Sequence, residues 1–201
     1  MTLEDQLQAR RAKEQKLRTQ KDLLVESVRT HLLPAFIQRG FAVGPLRHYK
    51  PASKKSVGTF PFGQLRRTRP DGGVDVIEIQ FSTYQRAAFR INAGVAPKDG
   101  IVTLTGNRSV EDVAVHWLNQ YFETHARPWL RPALRALGLE PLGEWFSLPF
   151  WRLRSPKQAN YDALAIWVAG LVPEIEAALS ESKLGPHIRK VVIPQGRQIV
   201  S

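Results

Sequence analysis

The tetrapeptide Pro70-Asp71-Gly72-Gly73 constrains this chain more than any other feature. Proline presets φ at a turn position, aspartate bonds to backbone two residues on, and glycine supplies the left-handed conformation. The flanking runs, FPFGQLRRTR (60–69) and VDVIEIQFS (74–82), are strand-like, the second rich in β-branched residues. Two such runs around such a turn predict a β-hairpin and commit the chain to an antiparallel sheet. A short loop around Tyr84-Gln85 then leads to AAFRINAGV (87–95), a third strand. A further hairpin is predicted through Pro97-Lys98-Asp99-Gly100 into residues 101–104.

Turn position also predicts register. Across the 70–73 turn, Phe62 falls opposite Phe81, Gln64 opposite Ile79 and Arg67 opposite Val76; across the next loop, Glu78 meets Arg90 and Ile79 meets Phe89. One sheet face then carries Phe62, Ile77, Ile79, Phe81, Phe89 and Ile91. The other carries Arg67, Arg69, Glu78, Gln80, Arg90 and Asn92. Such a split predicts helices on one side and water on the other. The polar face is read as a solvated surface or, more sharply, as a shallow anion-binding face built from Arg67, Arg69 and Arg90.

The remaining segments read mainly as helix. Residues 3–22 are almost wholly polar, with Leu3, Leu7 and Leu17 as the large apolar residues, so this helix has little to bury. In residues 21–39, Leu24, Val28, Leu32 and Phe36 form an apolar stripe that docks on a core. Pro34 predicts a kink or break, and Gly40 a C-terminal cap. Ser109 and Asp112 resemble a capping box opening a helix through VAVHWLNQYFETH; a break is expected near Pro128. Residues 138–156 read as irregular and aromatic-rich. A last helix is expected over 158–183, weakened at Asn160, Gly170 and Pro173, followed by an edge strand at 191–193. The fold class is therefore α+β: a long N-terminal helix, a three- to four-stranded antiparallel sheet and a C-terminal helical region. Residues 1–20 form a polar helical extension, 21–184 a single α+β domain, and 185–201 a C-terminal tail.

Charge bears on partners. The net charge is +11, and residues 27–70 contain no acid but nine Lys and Arg. A local positive field attracts polyanions or acidic proteins. The residues expected to meet an anion or nucleic acid are Arg47, Lys50, Lys54, Lys55, Arg66, Arg67, Arg69 and Arg90. Arg127 and Arg131 join them because, with Arg135, they fall at i, i+4, i+8. Trp117, Tyr121, Trp129, Trp145, Phe146, Phe150, Trp151 and Trp167 are stacking candidates, although such aromatics more often fill cores.

Several classes of chemistry find no support. There is no cysteine, which excludes disulfides and thiolate chemistry. The five histidines lack metal-ligand spacing, and no phosphate loop or dinucleotide fingerprint is present, so no metal or cofactor is expected. No secretory signal or membrane span is read, so the expected location is the cytoplasm. Asp71 followed by Glu78-Ile79-Gln80 superficially resembles the carboxylate pattern of a metal-dependent nuclease, but Gln80 stands where a lysine is required.

HLLPAFIQRGF, DVIEIQFS and AAFRINAGV, in that order, resemble the uncharacterised bacterial family called domain of unknown function 4304. Gly40-Phe41, Gln80 with Ser82, and Phe89, Asn92 and Gly94 carry the resemblance, which covers residues 25–97. Phe81 between Gln80 and Ser82, the long 44–59 loop and the polar N-terminal helix depart from it. The resemblance implies a fold and no catalytic residues. The leading functional reading is a non-enzymatic binding module for a polyanion, nucleic acid first, acting through the basic segment and sheet face. The alternative is a protein-interaction role: a toxin-immunity or adaptor protein, or a homo-oligomer joined through residues 3–22. A metal-dependent nuclease is a minor third reading.

Overall fold

The computed structural model describes residues 3–46, 58–83, 86–103, 106–126, 145–149 and 156–193. Its helix α1 (Leu3–Ser27) is exposed along most of its length and becomes buried only near Leu24. A π-turn (Val28–Leu32) and α2 (Leu33–Ile37) continue it. Pro34 sits in the first turn of α2. Its ring would crowd the carbonyl four residues back in a regular helix, and the wide π-turn before it relieves that contact. Gly40, at φ 83°, ends the helix. The Gly40 N–H donates to Ile37 O and the Phe41 N–H to Phe36 O, a Schellman closure sealed by edge-on packing of Phe36 and Phe41 at 5.7 Å.

The sheet is larger than three or four strands. Strands β1 (Ala42–Gly44), β2 (Gln64–Thr68), β3 (Val74–Phe81), β4 (Ala88–Ala96), β7 (Gln120–Thr124) and β9 (Ile188–Val192) lie side by side in that order, with β8 (Phe146–Ser147) also on β4. Every pairing is antiparallel. The predicted hairpin at 97–100 is corrected: β5 (Ile101–Thr103) pairs with β6 (Gly106–Arg108) in a separate two-stranded sheet. The expected helix through 113–125 is also corrected. Two 3-10 turns (Val110–Asp112 and Val115–Trp117) lead into β7, where Phe122 is buried toward the helices and Glu123 lies opposite Asn92. Alternating, β-branched and aromatic residues met a vacant β4 edge, and the strand won over helix propensity. The last helix is two: α3 (Gln158–Ala169) ends at Gly170, and α4 (Val172–Leu179) begins with Pro173 in its first turn. The terminal edge strand is present as β9.

Register differs from expectation in two instructive ways. Between β3 and β4 the offset is two residues: Glu78 faces Asn92, Gln80 faces Arg90 and Ile79 faces Ile91. An even slip keeps every side chain on its face. Between β2 and β3 the offset is one, so Arg67 faces Asp75 and Arg66 faces Val76. That odd slip moves Arg67 to the helix side and puts Arg66 on the polar side.

The main core lies between the sheet and α1, α2, α3 and α4. Leu65, Ile77, Ile79, Phe81, Phe89, Ile91 and Phe122 from the sheet meet Leu24, Val28, Leu32, Phe36, Tyr161, Val168, Val172 and Ile175. The end of α1 is pinned to α3 by Ser27 Oγ, which donates to Asp162 Oδ1 at 2.8 Å and accepts from Gln158 Nε2 at 2.7 Å. The opposite sheet face is not open to water as expected. Residues 110–118 fold over it, and Val113, Val115 and Leu118 form a second apolar cluster with Val76 and Ala96. Gly94 permits this cover: a Cβ there would lie 2.4 Å from Leu118 Cδ1.

Candidate functional site

Two clusters of charge flank the sheet, one on each face. On the helix side, Arg67 is the hub. Its Nε and Nη2 donate to Asp75 Oδ2 at 3.0 and 2.8 Å, and its Nη1 to Glu176 Oε1 at 2.6 Å and Arg39 O at 2.9 Å. The guanidinium also lies 4.4 Å from the Phe41 ring centre. Arg39 reaches Glu176 at 2.8 Å, and Arg69 reaches Asp75 Oδ1 at 3.5 Å. Asp75 is buried. This network ties α4 and the end of α2 to the sheet, and it occupies two of the arginines expected to meet an anion.

On the polar face, Glu78 is fully buried in β3. Its Oε1 accepts from Gln64 Nε2 at 2.8 Å and from the Val115 N–H at 3.2 Å. Arg66 closes this end: its Nε and Nη2 donate to Gln64 Oε1, its Nη1 to Val110 O and its Nη2 to Val113 O. Burial pushes the Glu78 carboxyl above its ordinary value; the two hydrogen bonds and the charges of Arg66 and Arg90 oppose that shift.

Further along the same face, Arg90 Nε donates to Gln80 Oε1 at 2.7 Å, and Asn92 Nδ2 donates to the same oxygen at 3.3 Å. Arg90 Nη1 lies 3.7 Å from Glu123 Oε1, Tyr121 OH donates to that oxygen at 3.2 Å, and Arg189 from β9 donates to Glu123 Oε2. Burial, with the neighbouring Glu123 carboxylate, pushes the Tyr121 hydroxyl up to about 12. Trp145 lies against both Arg86 and Arg90, 5.4 and 5.2 Å from its ring centre.

The expected anion-binding residues thus have three fates. Arg67 and Arg69 belong to the helix-side network. Arg66 and Arg90 lie on the polar face, bonded to its carbonyls, amides and acids. Arg47, Lys50, Lys54, Lys55, Arg127 and Arg131 lie outside the described residues. Asp71 sits in the β2–β3 turn, its Oδ1 accepting from the Gly73 N–H, whereas Glu78 is mid-strand. No group of three or more potential metal ligands occurs among the described residues. His31 pairs with Asp162 and His187 with Glu174.

Sequence reasoning missed Asp75, Glu123, Glu176, Arg189 and Trp145 as members of these clusters. Glu123, Glu176, Arg189 and Trp145 have partners distant in sequence, whereas Asp75 meets Arg67 across the hairpin through the one-residue slip. Ten of the 29 Lys and Arg residues, but two of the 18 acids, lie outside the described residues; of the net +11, those segments carry +8 and the described residues +3. Among the described residues no helix is long and apolar enough to cross a membrane. No family model, no curated protein and no solved structure matches this chain.

Proposed function

We propose that the protein is a non-enzymatic binding module for a polyanion, nucleic acid first. The observation that carries this reading is the local charge of residues 27–70, nine Lys and Arg with no acid among them. Arg66, Arg67, Arg69 and Arg90 around the sheet are engaged by the fold's own acids, amides and carbonyls. Residues 47–57 and 127–144, which hold Arg47, Lys50, Lys54, Lys55, Arg127 and Arg131, carry +5 of the net +11. Cations bonded internally have little to offer a phosphate, so the interface is assigned to those segments, with Arg66, Arg67, Arg69 and Arg90 acting as scaffold. Exposed α1 adds Arg11, Lys13 and Arg18.

Binding to DNA, RNA and heparin across a salt series tests this. Affinity falls steeply with salt, with each phosphate contact on duplex DNA contributing a log–log slope of about −0.9. Reversing Lys54, Lys55, Arg127 and Arg131 to Glu weakens binding with an unchanged melting temperature. The absence of salt-sensitive binding at low ionic strength would refute the reading. The alternative of an acidic protein partner would then be tested by pull-down with the same reversals.

A further inference from the structure

We infer that α1 pairs with α1 of a second copy of this chain as a short antiparallel coiled coil centred on Ala12. This does not depend on the polyanion reading. The face of α1 that docks on the body through Leu24 and Val28 continues toward the N-terminus at heptad spacing: Lys21, Leu17, Glu14, Arg10 and Leu7. Leu7 is 46% exposed, and residues 4–16 are exposed throughout. The seam therefore runs off the body with no cover among the described residues.

The order of residues along that seam selects the occupant. Leu7, Arg10, Glu14 and Leu17 read as their own complement when the helix is reversed. Turned end for end about residue 12, Leu7 meets Leu17 of the second copy and Arg10 meets its Glu14, and each pairing occurs twice. This is the self-complementary pattern that a two-fold interface requires. The intrahelical Arg10–Glu14 contact at 3.0 Å shows that the two side chains already share one face. A parallel, in-register pair would instead set Arg10 against Arg10 and Glu14 against Glu14.

Flanking positions tune the pairing. Glu4 falls beside Arg18 of the second copy, twice, whereas Arg11 faces Arg11 and Lys13 faces Lys13 at the two-fold axis. The polar central layers fix register at a cost in affinity, and the facing cations weaken it further, so the dimer is a weak one. The two bodies end at opposite ends of the paired segment, clear of each other.

Sedimentation equilibrium of the full chain tests the pairing. The expected result is a reversible monomer–dimer equilibrium. Arg10→Glu and Glu14→Arg each weaken it roughly tenfold or more, with unchanged circular dichroism, because both residues are exposed. An equimolar mixture of the two variants recovers the dimer, since both cross-pairs are again opposite in charge. Because the chain lacks cysteine, orientation is read directly: under mild oxidation, Leu7→Cys cross-links with Leu17→Cys and not with itself. A monomer at every concentration, no recovery on mixing, or a Leu7→Cys self-disulfide would each overturn the proposal.

Discussion

The two faces of the sheet are both covered, but different physics covers them. The helix side is closed by non-directional burial: Ile77, Ile79, Phe89 and Ile91 against four helices, with the Arg67 network at one edge. The polar side is closed by a loop with little regular structure. There the cover is held by hydrogen bonds from Gln64, Arg66 and the Val115 N–H to named acceptors, with a small apolar cluster beside them. The helix side should therefore tolerate changes of shape and fail on charge. The polar side should tolerate isosteric changes and fail when a partner is deleted.

The largest expected effect is Ile79→Asp. Ile79 is 1% exposed, and an unpaired buried carboxylate there costs about 4 kcal/mol or more. A cooperative transition near the wild-type temperature would show that this face is less tightly closed than described. Glu78→Leu comes next, at about 2–4 kcal/mol, because it strands one N–H of the Gln64 amide, whose other bond goes to Val113 O, and the Val115 N–H. Glu78→Gln keeps an acceptor for both and sharpens the contrast through pH. A carboxyl raised in the fold stabilises fully below its unfolded value, and that contribution is lost as pH rises through the folded value. Wild-type stability therefore carries a component that declines above about 4.5, and in Glu78→Gln that component is absent. Denaturant melts of both proteins across pH measure it.

Gln80→Ala should cost about 1–2 kcal/mol. Its carbonyl is the acceptor shared by Arg90 and Asn92, so it is not the neutral surface change that a solvated face implies. The smallest effect is expected at Arg69→Ala, about 0.5–1 kcal/mol, since its contact with buried Asp75 is long and Arg67 holds the other carboxylate oxygen. If Arg69→Ala proved costlier than Gln80→Ala in thermal melts, the ranking of the two faces would be reversed.

What was legible in the sequence was local chemistry. Pro70-Asp71-Gly72-Gly73 makes its turn, Gly40-Phe41 closes its helix, and Glu78, Gln80, Arg90 and Asn92 share a face as their alternation requires. What stayed hidden depended on who sits beside whom. One residue of slip in β2 sent Arg67 to Asp75. Residues 120–124 became a strand because β4 needed a neighbour, and Arg189 reached Glu123 from 66 positions away. Arg67 and Arg90 looked available because Glu176 and Glu123 are remote in the chain and because the expected register set Arg67 against Val76 instead of Asp75. The charge excess itself was visible from composition.

The placement of β9 has a consequence for the order of assembly. Strands β2, β3 and β4 meet across short connections, so their pairing closes small loops and can form early. β7 gains its outer neighbour only when the chain has passed through α3 and α4 and returned as β9. Until then β7 presents an open edge, the feature by which partly folded chains recruit one another. Arg189 arrives with that same strand, so Glu123 receives its second cation in the step that covers β7. A chain interrupted between α4 and β9 would keep its main hydrophobic layer yet leave the β7 edge uncovered, and is expected to aggregate more readily than the full chain.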